Sequence, residues 1–547
     1  MTEQSAVVGT VAGPGDDPNE FVFIAPAEKS IKTGEFITYT VSVDGQNQSV
    51  FARVTNRELI RGLPEEFLAD PDVGPNVVAA TLGVPTDDTE LYRLNSTVIG
   101  YYDTEMTTFA NPRQLPTPGT PLSIAPDQQL ETVLPNLGCE TDNADVSELG
   151  GTAHIGWLLN RSPEATNIHI PIEEFASTHL AILASTGSGK SYTAAALIEE
   201  MMRPASRASL LIFDPHGEYD TLAEMQGHEE FQGEDGYEPN VVYYDPEGLR
   251  VRISELEIGD VMAILDNPSN RMQERLSTGW RSMQRRESRT WGINELIREM
   301  KQIYEEDDAS IGALEWRLRR SIEQNDLFHP EQNVPLGEIV DPGQCTVLEM
   351  DTLDRRNQQL ITTVLLRRMY RERLSAVRGR DSEIEHPIFA LFEEGHRFAP
   401  ATGNAPSLGI MRTITSEGRK FGFGLGIISQ RPSKIDQDVL SQCGTQISMQ
   451  IQNPNDQDAI RKSVEAAGET VLRELPGLTP GQAVVSGDSM NTPALIQVRR
   501  RHTRHGASSL DVIEDWREAY DRRQREPTQS ESADFGGGES TGVQSLD

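Results

Sequence analysis

Leu180-Ala-Ile-Leu-Ala-Ser-Thr-Gly-Ser-Gly-Lys-Ser191 is the stretch on which the reading of this chain turns. The apolar run Leu180–Leu183 predicts a buried strand of a parallel sheet, and Tyr192–Met202 predicts a helix. Strand, Gly-rich turn, Gly-Lys-Ser and helix form the arrangement in which backbone N–H groups and a helix N-terminus hold nucleotide phosphates. Ser185, Thr186, Gly187, Ser188 and Gly189 are the expected cradle. Lys190 would reach the β- and γ-phosphates, Ser191 would give its hydroxyl to Mg²⁺, and Tyr192, which opens the helix, is a further nucleotide-binding candidate. Ala184 stands where the G-x-x-x-x-G-K-[ST] pattern has its first glycine. Alanine fits there if the position keeps a negative φ, because its methyl then meets no clash.

Outward from this loop, a length of 547 residues exceeds a single core and predicts about two to four domains. Acidic residues outnumber basic ones 85 to 49, for a net charge of −36, and only seven of the basic residues are Lys. Such an acidic, Lys-poor surface is similar to that of haloarchaeal proteins and reads as adaptation to a salty cytoplasm. It leaves a nucleic-acid partner open, because binding depends on local basic patches, although counterion release helps little at high salt. The three cysteines (Cys139, Cys345, Cys443) are far apart and form no C-x-x-C, which argues for a reducing compartment and against a disulfide or zinc framework. No 18-residue apolar run exists, and the N-terminus carries no signal-peptide pattern. The expectation is a soluble, cytoplasmic protein.

Taken in order, residues 1–19 are Gly/Pro/Asp-rich and read as a disordered N-terminus. Residues 20–110 hold short β-type runs (Phe21–Ile24, Phe36–Val43, Val50–Val54, Val77–Leu82, Thr97–Tyr102), the pattern of a small antiparallel barrel or sandwich. Residues 111–150 read as a Pro-rich linker with little structure of its own. From 151 to 255 strands and helices alternate, predicting the first part of an α/β core with a parallel sheet. Residues 256–335 show helical periodicity (Trp291–Tyr304, Ile311–Asn325) and read as an all-α insertion. Its Arg281, Arg285, Arg286 and Arg289 are either phosphate contacts or a solvated helix face. The α/β pattern resumes over 336–505, with a long helix at Asp354–Val377 and a hairpin at Gly481–Val498. Residues 506–547 carry one polar helix, Ser509–Arg523, and an acidic Ser/Gly tail.

The second chemical signal is His386-Pro-Ile-Phe-Ala-Leu-Phe-Glu-Glu-Gly-His396, an apolar strand ending in two carboxylates. Opposite a phosphate loop, one carboxylate serves the hydrated Mg²⁺ and the next polarises the attacking water. Glu393 is assigned to the metal, indirectly because it is longer than the usual Asp, and Glu394 to the water. Gln430, at the end of the predicted strand Phe423–Ser429, is placed like a γ-phosphate sensor. Asp214, at another strand end, is a further candidate for Mg²⁺ or the water, while His216, Glu218 and Tyr219 fit capping or packing equally well.

These motifs, with Asp214-Pro-His-Gly-Glu-Tyr219, Glu417-Gly-Arg-Lys-Phe-Gly422 and Ser429-Gln-Arg-Pro432, make the sequence from about Phe21 to Arg500 resemble the HerA family of hexameric DNA translocases. The resemblance implies a RecA-like P-loop NTPase core with an N-terminal β-barrel and an all-α insertion. It implies ATP and Mg²⁺, with Gly187, Gly189, Lys190 and Ser191 on phosphates and metal and Glu394 activating water. Arg419 occupies the family's arginine-finger position, reaching the γ-phosphate bound to a neighbouring subunit, and a planar guanidinium suits charge spread over phosphoryl oxygens. The implied partners are double-stranded DNA, five further copies in a homohexamer and a NurA-type nuclease docked on the barrel, in DNA end resection. Candidate DNA contacts are the loop Ala399–Ser407, Lys434 and the basic run Arg499–Arg504, the last equally readable as a domain-terminal patch. The alternatives are a nucleotide-switched assembly module on DNA and a secretion or conjugation ATPase of the same superfamily.

Overall fold

The computed structural model describes residues 7–43, 45–61, 90–103, 108–137, 151–245, 249–265, 268–286, 290–304, 309–324, 327–403, 405–463, 473–504, 513, 516–518, 520 and 522. The anticipated strand Val77–Leu82, Arg289, Cys139 and most of the helix Ser509–Arg523 lie outside these residues.

The first layer is β-rich. Strands β1 (Val7–Pro14), β2 (Glu20–Pro26), β3 (Phe36–Val43), β4 (Gln46–Arg61), β5 (Glu90–Asp103), β6 (Thr108–Ala110) and β7 (Pro121–Ile124) run β2-β1-β7-β3-β4-β5-β6, and β2 also pairs with β5. That extra pairing closes six strands into a barrel, leaving β6 as an appendage of β5. Phe21, Phe23, Tyr39, Val50, Leu94 and Leu122 fill its interior. Two expectations are corrected here. Within 1–19, Val7–Pro14 is a strand: it pairs with both β2 and β7 and buries Val8 and Val11, so its backbone groups are satisfied despite its glycines. Within 111–150, Pro121–Ile124 is a barrel stave between β1 and β3, and Asp127–Val133 is a helix burying Leu130 and Val133. The prolines there mark the ends of these short elements; Pro126 is the cap of that helix.

The core is one sheet of eleven strands. Its members are β8 (Thr152–Leu158), β9 (Asn167–Pro171), β10 (Leu180–Leu183), β11 (Leu210–Asp214), β12 (Asn240–Tyr244), β15 (Gln344–Glu349), β16 (Ile388–Phe392), β17 (Phe423–Ser429), β18 (Thr445–Ser448), β19 (Gln482–Gly487) and β20 (Ala494–Val498). The short β13 (Val251–Arg252) and β14 (Phe328–His329) pair separately. The strand order is β12-β15-β11-β16-β17-β10-β18-β19-β20-β8-β9. From β12 to β18 the pairs are parallel, and from β18 to β9 they are antiparallel. The parallel strands β10, β11, β16 and β17 are buried at every position, as strands covered by helices on both faces must be. The anticipated parallel sheet is therefore the functional half of a mixed one.

Between β13 and β14 stand helices Ile258–Ile264, Asn270–Gln284, Ile293–Ile303 and Ala309–Leu318, followed by one π-turn at Arg319–Glu323. Met272, Leu276, Trp280, Met283, Trp291, Leu296 and Leu314 join this insertion to the core cluster, with Trp280 and Trp291 edge-to-face at 4.8 Å. The only departure from all-α among the described residues is Phe328–His329, which pairs with β13. Arg281, Arg285 and Arg286 are exposed, and Arg286 is ion-paired with Glu299. Among the described residues no helix is long and apolar enough to cross a membrane. Cys345 and Cys443 are free, buried thiols, and burial pushes both up to about 12.

Candidate nucleotide-binding site

The carboxyl ends of β10, β11, β16 and β17 lie along one edge of the sheet, where α/β folds bind their ligands. In register, Leu183 of β10 sits beside Ser429 of β17, Ile427 of β17 beside Phe392 of β16, and Phe392 beside Phe213 of β11. The loop after β10 and the carboxylates after β16 thus face each other across one intervening strand.

Ala184 is fully buried, donates its N–H to Ser429 O (3.2 Å) and is not among the positive-φ residues, so the alanine costs nothing there. The loop turns through left-handed Gly187 (φ 79°) and Gly189 (φ 101°), where a side chain would be strained. Gly189 caps the helix Lys190–Met201, and Thr193 returns its hydroxyl to Gly189 O at 2.9 Å. Ser185 N and Ser188 Oγ bond Gln450 O (2.8 and 3.3 Å), which ties the base of the loop to the end of β18. Thr186 and Gly187 form its exposed crest, and Thr186 donates its hydroxyl to Gln430. Gln430 therefore sits at the loop, as its position after β17 predicts. Tyr192 points elsewhere: its hydroxyl accepts Arg501 N–H (2.9 Å) on the back of the helix.

Lys190 pairs with Glu393, and its Nζ lies 3.5 Å from Glu218 and 3.7 Å from Glu394. Burial opposes its charge, but the three carboxylates outweigh that and raise its pKa. At such separations each charge pair is worth on the order of 4 kcal/mol at an effective dielectric near 20. Even with Glu393 partly protonated near neutrality, one ammonium does not balance the charge of these carboxylates, so the pocket suits an additional cation. The donors are hard oxygens, the chemistry of Mg²⁺ rather than of zinc. Among the described residues no group of three or more His, Cys, Asp or Glu is arranged to hold a metal unaided. An ion here would therefore take part of its shell from phosphate oxygens and water, which fits the expected cofactor.

Glu393 is fully buried, with one oxygen on Lys190 and the other accepting Tyr219 OH at 2.7 Å. Burial, opposed by Lys190, moves its pKa up to about 7. Both Glu393 oxygens are thus engaged by the chain's own side chains. Glu394 adopts a left-handed conformation (φ 51°) that swings its carboxylate into the pocket. Burial resists its ionisation, yet His396, Lys190 and His216 hold its pKa below the usual value. His396 Nδ1 lies 3.1 Å from Oε2 and also shares a hydrogen bond with Ser429 Oγ (3.3 Å). Oε2 is buried and, beyond this contact with His396, makes no hydrogen bond.

Asp214 is a correction. Its Oδ1 accepts the N–H groups of His216 and Gly217 (3.0 and 2.9 Å), and its Oδ2 those of Glu218 and Tyr219 (2.7 and 3.3 Å). Four backbone donors saturate the carboxylate, so it shapes the loop and has nothing left for a metal. The residues that sequence leaves unassigned stand in its place: Glu218 accepts the Ser191 hydroxyl, and Tyr219 holds Glu393. The Asp-x-x-Gly spacing, typical of a side chain capping its own turn, is the signal for Asp214's role.

Arg419 lies at the opposite edge. It precedes β17 while Ser429 ends it, so about seven residues at roughly 3.3 Å each, about 20 Å, separate it from this chain's own phosphate loop. It is exposed beside a polar cavity of about 640 Å³ lined by Thr178, His179, Thr415 and Asp488. His179 (φ 68°) is buried there with Nδ1 accepting Leu425 N–H at 3.0 Å, and burial pushes its pKa down to about 4. The folded chain must keep this imidazole neutral, whereas the unfolded chain protonates it below its ordinary 6.5. Stability should therefore fall as pH drops from about 6.5 toward 4, by about 3 kcal/mol from this group. Urea titrations at several pH values should show a shallower slope over that window for His179→Asn than for the unaltered chain.

Of the two readings of the basic run, the structure shows the domain-terminal patch, set on acidic neighbours. Arg499 is 4% exposed, bonds His154 O and Ala196 O (2.9 Å each) and pairs with Glu199 and Glu200 (3.0 and 2.9 Å). Thr503 and His502 also donate to Glu199, and Arg504 pairs with Glu224. The run is a clasp on the back of the phosphate-loop helix, because two buried glutamates there demand cationic partners. By contrast, the Ala399–Ser407 loop and the exposed Lys434 are neighbours, joined by Ala401 N to Lys434 O (2.8 Å).

The class that this fold and site define is an α/β P-loop NTPase. Residues 153–369 match the family model described as the central domain of helicase HerA. The chain is 28% identical over 445 residues to the DNA double-strand break repair helicase HerA of Saccharolobus solfataricus, covering 78% of this chain and 81% of that protein. It is 26% identical over 422 residues to the protein of the same name from Pyrococcus furiosus (66% and 73% covered). Among solved structures, VirB4 of Thermoanaerobacter pseudethanolicus is similar, with 16% identity, a TM-score of 0.47 and coverage of 65% of this chain and 98% of that one.

Proposed function

We propose that this chain is an ATP-driven, HerA-type DNA helicase or translocase that works as a homohexameric ring on double-stranded DNA, in the resection of DNA ends. The observation that carries the ring is the placement of Arg419. It cannot reach its own nucleotide, and it is exposed at the opposite edge of the sheet, where a neighbouring copy's phosphate loop would meet it. A head-to-tail contact of this kind closes into a ring.

In this reading Ser185–Ser191 wrap the phosphates of ATP, and Lys190 leaves the carboxylates for the β- and γ-phosphates. Ser191 and Glu393 would hold Mg²⁺. A bound Mg²⁺ supplies charge neutralisation at the phosphate oxygens. Glu394 takes the proton of the attacking water on its free oxygen, and Gln430, tied to the loop through Thr186, senses the γ-phosphate. Arg419 of the adjacent copy stabilises charge on the transferring phosphoryl group. The paired loop 399–407 and Lys434 face the DNA backbone. The barrel is the dock for a NurA-type nuclease, and the acidic surface belongs to a protein of a haloarchaeal-type, salt-rich cytoplasm. Displacement of a third strand from linear duplex DNA, in molar KCl with ATP and Mg²⁺, tests the motor. The expected result is displacement by the unaltered chain and none by Glu394→Gln; failure of the unaltered chain while it hydrolyses ATP would refute translocation.

A further inference from the structure

We infer that Glu218 is a positioning residue of the metal–nucleotide site, one that turns the Ser191 hydroxyl toward a divalent cation, and that Asp214 exists to aim it. The inference rests on the ATPase reading of the site. Asp214 collects the N–H groups of four successive residues, and Gly217 (φ 70°) completes the turn, so the loop presents Glu218 in one direction. That direction is Ser191, whose hydroxyl donates to Glu218 Oε2. A hydroxyl that gives its proton to a carboxylate has its lone pairs turned the other way; here they face Lys190 Nζ, which donates to Ser191 Oγ at 3.4 Å, and they become available to a metal once Lys190 turns to the phosphates. Carboxylates behind a ligand commonly do this. The buried Oε2 of Glu394, which makes no hydrogen bond and has only His396 Nδ1 beside it at 3.1 Å, is the independent sign that the same pocket is built for something more than its own side chains.

The charge count gives the inference a distinctive consequence. Glu218, Glu393 and Glu394 surround a single Lys190, so a polyphosphate without a cation meets an excess of negative charge. Nucleotide and divalent cation should then bind together, and Glu218 should be one of the groups enforcing this. The experiment is equilibrium binding of a fluorescent ADP analogue to the full chain, once with excess Mg²⁺ and once with excess EDTA. For the unaltered chain, binding should be much tighter with Mg²⁺. Glu218→Gln should weaken Mg²⁺-ADP binding and strengthen metal-free binding, shrinking the ratio of the two affinities by about tenfold or more. Asp214→Asn should weaken the Mg²⁺ arm without strengthening the metal-free arm, since all three carboxylates remain. If the unaltered chain binds Mg²⁺-ADP and Glu218→Gln leaves the ratio unchanged, this inference is overturned alone. If the unaltered chain binds no nucleotide in either arm, the ATPase reading falls and takes the inference with it.

Discussion

Glu394→Gln should abolish turnover while leaving nucleotide binding in place. The carboxylate sits at the end of β16, ionised across neutral pH and with one oxygen unengaged, so its amide replaces a proton acceptor by a group that cannot accept one. General-base contributions of this kind run to about 10²–10⁴-fold, and steady-state ATP hydrolysis should fall by that factor. The fold should survive, because glutamine matches the side chain in size and the backbone at 394 already adopts a conformation tolerated by polar residues. Binding of a fluorescent Mg²⁺-ADP analogue should be within a few-fold of the unaltered chain. A variant that keeps more than a tenth of the rate would remove Glu394 from the chemistry.

Arg419→Ala should be as damaging, about 10³–10⁵-fold in hydrolysis for an arginine finger, but with a different signature. Because Arg419 stands an entire strand away from its own loop, its loss disables the neighbour's site. Arg419→Ala mixed with Glu394→Gln should therefore recover part of the lost activity, since some interfaces then combine an intact Glu394 with an intact Arg419. Mixing Arg419→Ala with itself recovers none. Absence of recovery in the mixture, with both variants confirmed to co-assemble, would contradict action across the interface.

Much of this site is legible in the chain because the decisive signals are local. Leu180–Ser191 and Pro387–Glu394 each carry a whole strand and its functional end within a dozen residues, and every apolar position in those strands is buried. What sequence misreads depends on distant partners. Arg499–Arg504 looks like a surface patch until Glu199 and Glu200, about 300 residues earlier, are seen beneath it. Pro121–Ile124 is too short to announce itself and is a strand only because β1 and β3 flank it. Asp214, a candidate for the metal, and Glu218, whose role the sequence leaves open, are told apart for a subtler reason. Both are carboxylates near a strand end, and only the turn geometry decides which one faces inward and which one organises the loop.

In the proposed mechanism one P-loop site, completed by a second copy, couples ATP hydrolysis to duplex DNA. The most direct measurement is the steady-state rate of ATP hydrolysis in molar KCl with and without linear duplex DNA. DNA should stimulate the rate, and both Glu394→Gln and Arg419→Ala should abolish it. A rate indifferent to DNA, with Arg419→Ala as active as the unaltered chain, would contradict it.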